Sequence, residues 1–380
     1  MMQKQKEFFG FNSINKLALI LKNHKPKSIF LVTGQSSYEK SGAKQAIEKI
    51  LEGFKVIKFD KFEENPKLED IKKGVQLFKK SKCDFVIAIG GGSAIDVAKS
   101  INIISSNKIN PTNLIKKNLI KKKGKPLAAI PTTSGSGSEA TQFAVVYINK
   151  TKYSLDHYYV IPDYTILDYK LTLSLPKSIT ASSGMDALSQ AIESYWSVNS
   201  TEESKEYSKK AIKLIMDNLT GNVNNPSEKS RESMLMASHL AGKAINIART
   251  TACHSISYPI TTYFNAAHGN AVALTLGSFI EYNHNVTKND VLDKRGMKYV
   301  KKTIDEIIEM IGARSAADAK TKIENLMKQI GLSTRLSELG IKTNNDILLI
   351  VKNGFNPQRV KNNPRRLTEN KLISLLNAIR

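Results

Sequence analysis

Apolar runs of two textures divide the chain. In the first half, short continuous runs of strand length are each followed by a segment whose apolar residues recur at helical spacing. KSIFLVTG (27–34) leads into KSGAKQAIEKILEG, FKVIKFD into LEDIKKGVQLFKKSK, and DFVIAIG into GGSAIDVAKSINII, with PLAAIP (126–131) a further core run. A strand that is apolar on both faces must be covered on both faces. The βαβ rhythm therefore predicts an α/β, Rossmann-like domain with a mostly parallel sheet.

After LTLSLP (171–176) the strand-length runs cease. Long amphipathic patterns replace them in PKSITASSGMDALSQAIESYWSV, KEYSKKAIKLIMDNL, SEKSRESMLMASHLAGKAINIA and RGMKYVKKTIDEIIEMIG. This change predicts a dinucleotide-binding domain over 1–176 and an all-helical domain over 177–380. No internal repeat interrupts either half.

The bulk numbers narrow the class without naming a function. The chain has 380 residues, 41% of them hydrophobic, enough for two medium domains with their own cores. No apolar run approaches the roughly 18 residues of a membrane span. The start, MMQKQKEFFGFNSINK, lacks the apolar core of a secretory signal, so the expected location is cytoplasmic with no membrane partner. Two cysteines, Cys83 and Cys253, make no CxxC pair and fit a reducing compartment. The net charge of +23 raises nucleic acid as a partner. Yet the lysines are scattered over solvated helix faces, and the densest cluster, IKKNLIKKKGKP (115–126), has no aromatics to stack bases. No specific nucleic-acid partner is expected.

Chemistry concentrates first in two loops. In AIGGGSAIDVAKS (88–100) a buried strand delivers Gly90, Gly91 and Gly92 into a helix start, where bare backbone N–H groups approach a pyrophosphate. Ser93 adds a hydroxyl there, and Asp96 and Lys99 follow on the same helix. The second loop, IPTTSGSGSEATQF (130–143), offers Thr132, Thr133, Ser134, Ser136 and Ser138 after another core strand. Two such loops at strand C-termini mark the ligand crevice of an open α/β sheet, and a dinucleotide is the favoured ligand. After the first core strand come Gly34, Gln35 and Ser36, with Lys40 nearby, where NAD sites usually carry a carboxylate. Nothing there repels a 2′-phosphate, so NADPH is preferred over NADH.

The second concentration is a candidate metal site. Asp186 and Gln190, four residues apart on a helix, project from one face. His254 and His268 fall within TACHSISYPITTYFNAAHGN (251–270). A carboxylate, two imidazoles and an amide oxygen suit a divalent first-row ion. Spacing alone equally allows a helix-turn Asp, a surface Gln and two histidines satisfied by backbone.

GGGSAIDVAK, PTTSGSGSEAT, GMDAL and HSISYPITTYFNAAHG, in this order, resemble the signature blocks of the iron-containing (group III) alcohol dehydrogenase family. The resemblance implies a nicotinamide cofactor and a divalent metal in a cleft between the two domains, with one Asp and three His as ligands. The ligand positions carry over to Asp186, Gln190, His254 and His268, so Gln190 stands where the family has His. A further family histidine near the substrate is Tyr258 here. A neutral amide oxygen is the weaker donor, and a phenol relays a proton from a higher pKa.

SLDHYYVIPDYTILD, DALSQAIESYWSVNST, AGKAINIARTTACHSISYPIT and NPQRVKNNPRRLT further resemble the phosphonoacetaldehyde reductase branch of that family. The branch implies reduction of phosphonoacetaldehyde to 2-hydroxyethylphosphonate in phosphonate biosynthesis. Arg249, Thr250 and Thr251, just before His254, suit a phosphonate as a guanidinium fork extended by hydroxyls. Lys152, in a segment read as crossing between domains, and His157 are further substrate candidates. Arg359, Arg365 and Arg366 are weaker ones, read as structural. Tyr258, His268 and Arg249 are the expected catalytic group. A homodimer is expected by analogy. The rivals are another aldehyde, uncharged or phosphorylated, and a nucleotide-binding protein that has lost metal and catalysis through Gln190.

Overall fold

The computed structural model describes residues 5–149, 151–355 and 357–380, without the side chains of Gln358 and Arg359. The chain divides into two compact units, Met1–Leu175 and Pro176–Arg380.

The first unit carries the strands β1 (Lys6–Phe9), β2 (Ser28–Thr33), β3 (Lys55–Phe59), β4 (Phe85–Gly90), β5 (Leu127–Pro131), β6 (Phe143–Ile148), β7 (Thr151–Asp156) and β8 (Tyr164–Leu167). Its helices are α1 (Lys16–His24), α2 (Ser37–Lys40), α3 (Ala43–Leu51), α4 (Leu68–Lys80), α5 (Gly92–Ser106) and α6 (Pro111–Lys117). Six strands form one sheet in the order β1-β8-β5-β4-β2-β3, every pair parallel. The sequence pattern predicts four of the six. β1 and β8 have four residues each, and β1 is mostly exposed, too short and too wet for a readable pattern.

Alternation along the central strands splits the core into two layers. Phe30, Val32, Val86 and Ala88 face α4 and α5, through Ile71, Val75, Ile95 and Ile101. Ile29, Leu31, Phe85 and Ile87 face α1 and α3, through Leu17, Ile20, Leu21 and Ile47. Each fully buried side chain of this size contributes about 1.5–3 kcal/mol, so no strand in the middle can slip by one residue without losing both layers. From β2 the chain goes outward to β3, whereas from β4 it goes the other way to β5. The strand order therefore reverses between β2 and β4, the place where open sheets of this kind hold ligands.

The second unit, among the described residues, is helical: α7 (Lys177–Trp196), α8 (Glu202–Asn224), α9 (Glu228–Ala248), α10 (Ala252–Phe264), α11 (His268–His284), α12 (Met297–Met310), α13 (Ala316–Gln329), α14 (Asn344–Gly354), α15 (Pro357–Val360) and α16 (Glu369–Ala378). Capping boxes at Thr201/Ser204 and Ser227/Ser230 start α8 and α9. From Gly184 to Trp196, α7 is buried on every side, which makes it the axis of the unit. A β-carbon on Gly184 would stand 2.2 Å from Leu219 Cδ1, so glycine there sets how closely α8 lies. No described helix is long and apolar enough to cross a membrane.

Candidate metal centre and cofactor loops

The all-round burial of α7 explains how polar groups come to be fixed inside the helical unit. Asp186, Gln190 and Glu193 recur at helical spacing on one face, and all three are buried. Asp186 Oδ1 lies 3.3 Å from His254 Nε2 and 3.9 Å from His268 Nε2. One ligand atom from each of Asp186, His254 and His268 falls within 4.8 Å of the others. Gln190 hydrogen-bonds Asp186 from the next turn of α7. A buried carboxylate with two converging imidazole nitrogens fits a divalent first-row ion.

The charges of these groups answer one another. Burial pushes the Asp186 carboxyl up, but the hydrogen bond from His254 and the nearby imidazole charges bring it below its usual value. Burial alone would lower His254, and the Glu193 and Asp186 carboxylates lift it to about 9. The carboxylates thus favour a positive charge at His254, and the imidazoles a negative one at Asp186.

Two backbone devices deliver the histidines. His268 is the first residue of α11, and Gly269 after it lets that helix rest directly on the α7 backbone at Ser182. His254 sits in the first turn of α10, whose N-terminal N–H groups are capped by Glu193 rather than by the N-cap residue Thr251. Tyr258, one turn on, lies parallel to the His268 ring with centroids 6.0 Å apart. The side of the site where His268 is one-third exposed is therefore roofed by a phenol.

In the first unit, three loops meet at the C-terminal ends of β2, β4 and β5. A β-carbon on Gly92 would stand 2.5 Å from Ser136 Oγ, and one on Gly91 3.3 Å from Thr133 Cγ2. Gly90 has φ +152°, and its β-carbon would lie 3.4 Å from Gly34 N. The triplet, the Gly34 turn and the Thr132–Ser136 segment are thus neighbours. Thr132 Oγ1 is buried and meets no protein hydrogen-bond partner. Gln35 and Ser36 are exposed, and Ser93 is half-buried.

Three expectations are corrected by the geometry. Asp96 is no ligand contact: its carboxylate accepts from Ser138 Oγ at 2.5 Å and Val145 N at 3.0 Å inside the unit. Thr251 is no substrate contact either. It is fully buried, its hydroxyl donating to Glu193 Oε1 at 2.6 Å and accepting from Trp196 Nε1 at 2.9 Å. Lys152 does not lie on a crossing between domains, because β7 pairs antiparallel with β6 within the first unit.

The other substrate candidates are placed as follows. His157, in the same unit as Lys152, accepts from Tyr159 N at 3.1 Å through Nδ1, so only its Nε2 faces outward chemistry. Arg249 is half-buried with φ 68° and ψ 164°, and the half-buried Thr250 follows it. The segment is pinned by Ser197 Oγ on Ala248 O at 2.6 Å and Asn362 Nδ2 on Thr250 O at 3.1 Å. Arg365 is structural, its guanidinium on Asp290 at 2.8 Å and Tyr282 O at 2.7 Å. Arg366 donates its backbone N–H to Asp290 O. The Arg359 side chain lies outside the described residues.

Residues 5–169 match the family described as iron-containing alcohol dehydrogenase, and residues 180–380 match its C-terminal part. The chain belongs to the iron-containing alcohol dehydrogenase family. Within it, the chain is similar to NAD-dependent methanol dehydrogenase of Bacillus methanolicus, 29% identical over 97% of this chain and 96% of that protein. Phosphonoacetaldehyde reductase of Streptomyces viridochromogenes is 31% identical over 78% of this chain and 76% of that protein. Among solved structures, sulfoacetaldehyde reductase from Bifidobacterium kashiwanohense in complex with NAD+ has a TM-score of 0.88 at 30% identity, covering 99% of this chain and 97% of that chain. The family uses NAD(P) and a divalent metal, and this member is an NAD(P)-dependent oxidoreductase of alcohol and aldehyde groups.

Two buried charged groups beside these sites escaped the sequence reading. Glu193 was legible only as an acid inside the apolar run of an otherwise buried helix. Lys99 was noted as a helix residue, yet it is fully buried, its Nζ donating to Ser138 O, Thr141 O and Phe143 O at 2.5, 2.7 and 2.6 Å. The polar segment 132–143, read as too polar for a core, is largely buried, and over 138–143 this ammonium satisfies three of its carbonyls.

Proposed function

We propose that this enzyme reduces phosphonoacetaldehyde to 2-hydroxyethylphosphonate with NADPH, a step of phosphonate biosynthesis. The observation that carries the reading is Arg249, a bulky cation kept in a backbone region that glycine favours, in the short connection that leads into α10 and His254. Positive φ of this kind costs about 1–3 kcal/mol in a non-glycine residue and persists where the side chain has work to do. A guanidinium there pairs in a fork with two oxygens of a tetrahedral oxyanion, and the Thr250 hydroxyl extends the cradle. The similarity to enzymes named for phosphonoacetaldehyde and sulfoacetaldehyde, both two-carbon aldehydes bearing such a group, supports the same choice.

Asp186, His254 and His268, with Gln190 beside them, are the residues that would hold the metal. When bound, a divalent ion supplies Lewis-acid polarisation of the aldehyde carbonyl. Arg249 fixes the opposite end of the substrate, so the carbonyl carbon is oriented for hydride from the nicotinamide. Tyr258 Oη, on the roof over His268, or a water beside it, returns the proton to the nascent alkoxide. Gly34, Gln35 and Ser36 receive the adenosine ribose, Gly90, Gly91, Gly92 and Ser93 the pyrophosphate, and Thr132, Thr133 and Ser136 the adjoining oxygens. With no carboxylate at Gln35 or Ser36, the 2′-phosphate of NADPH is accepted.

The test is NADPH oxidation with phosphonoacetaldehyde, sulfoacetaldehyde and an uncharged aldehyde of equal length, before and after chelation and reconstitution with Fe2+ or Zn2+. The reading requires the highest kcat/KM for phosphonoacetaldehyde. A preference for sulfoacetaldehyde moves the assignment to the sulfonate, which fits the same cradle with one charge fewer. Equal rates on the uncharged aldehyde remove the anionic substrate altogether.

A further inference from the structure

We propose that Glu193 is the positioning residue of the metal centre, one carboxylate that both caps α10 and locks His254 as a ligand through Nε2. The proposal rests on the reading of Asp186, His254 and His268 as the residues that hold the ion. Glu193 is fully buried on α7, on the face that carries Asp186 and Gln190. Its two oxygens divide the work. Oε1 accepts from Cys253 N at 2.8 Å, Thr251 N at 3.2 Å and His254 N at 3.4 Å, and from the Thr251 hydroxyl. Oε2 meets His254 Nδ1.

That second contact settles the imidazole. With Nδ1–H directed at a carboxylate, Nε2 is the nitrogen left to give up its proton and present a lone pair to the ion, and it lies 3.3 Å from Asp186 Oδ1. The ring can neither flip nor change tautomer without leaving Glu193 Oε2 without this donor in the interior, which is costly. Meanwhile the cap ties the first turn of α10 to α7. His254 is therefore positioned relative to Asp186 by a single rigid helix rather than by the packing of two. A carboxylate behind a ligand histidine also raises the basicity of its free nitrogen, and loss of such a partner weakens metal binding by about 10- to 100-fold.

Zn2+ binding to the full chain, measured by competition with a chromogenic chelator, tests this with two variants. Glu193→Gln retains an oxygen for the backbone N–H groups and removes the carboxylate from the imidazole. Thr251→Val removes one hydroxyl from the same carboxylate but leaves the imidazole contact. The expected result is a Zn2+ dissociation constant raised by about 10- to 100-fold in Glu193→Gln and unchanged in Thr251→Val. An unchanged constant in Glu193→Gln, or an equal rise in both, overturns the proposal. If Glu193→Gln does not fold, the nitrogen NMR spectrum of the zinc-loaded wild type decides. A proton on Nδ1 of His254 with zinc on Nε2 is expected, and the reverse overturns it. Failure of the wild type to bind Zn2+ at all would instead overturn the metal reading on which the proposal stands.

Discussion

Gly269 lies so close to Ser182 that a β-carbon on it would stand 1.8 Å from the Ser182 carbonyl oxygen. No side chain yields there, because the obstacle is backbone. The glycine beside His268 is therefore the spacer that lets α11 touch α7 one turn before Asp186. Gly269→Ala should push the helices apart, cost about 1–3 kcal/mol and weaken Zn2+ binding. Gly221→Ala in α8 is the control, since nothing lies within 4 Å of its β-carbon position. It should be neutral or stabilise by about 0.5–1 kcal/mol. Thermal denaturation with metal titration measures both.

Binding an ion only to the folded state stabilises it by mass action, about 2.7 kcal/mol at a hundredfold excess over the dissociation constant. Zn2+ should therefore raise the Tm of the wild type. Asp186→Asn, which keeps the shape and removes the charge, should abolish that rise together with reductase activity. A Tm rise that survives in Asp186→Asn would place the ion elsewhere.

Lys99 predicts a pH effect in the first unit. Burial pushes its ammonium down to about 8, against the opposing pull of Asp96 and Glu139. In the unfolded chain it keeps its proton up to the ordinary lysine value of 10.5, so above pH 8 the unfolded state binds more protons than the folded one. Stability from this group therefore rises between about pH 8 and 10.5 and is absent as a gain below 8. Urea denaturation at pH 7.5 and 9.5 should show an increment in the wild type that Lys99→Met lacks. The same variant leaves three carbonyls of the 138–143 segment without their donor, and the KM for NADPH should rise more than kcat falls.

Removal of the guanidinium tests the substrate's charge. Arg249→Ala should lower kcat/KM for phosphonoacetaldehyde by about 100-fold or more, since each hydrogen bond to a charged group contributes about 1.5–3 kcal/mol. An uncharged aldehyde should be reduced at nearly the wild-type rate. Parallel losses on both substrates would show that Arg249 shapes the loop rather than grips an anion.

Most of the frame was legible because periodicity reports burial. The central strands are apolar on both faces, the helices keep their stripes, and Asp186, His254 and His268 converge as the blocks implied. What stayed hidden was burial of polar groups. Asp96, Lys99 and Thr251 carry side chains that a sequence reader sends to ligand or solvent, yet each is satisfied inside the protein. Their partners, Ser138, Phe143 and Glu193, lie tens of residues away, and no local pattern announces such a pairing. Lys152 was misplaced for a related reason, since a six-residue strand in a hairpin looks like a linker when its partner is unknown.

The left-handed backbone at Arg249 makes the loop a thermodynamic compromise. Glycine would relax the turn, so Arg249→Gly should yield a sturdier protein that turns over its anionic aldehyde poorly. Selection for heat resistance alone would then drift toward glycine, whereas selection for turnover would hold the arginine, and the two pressures could be read separately in a single evolving population.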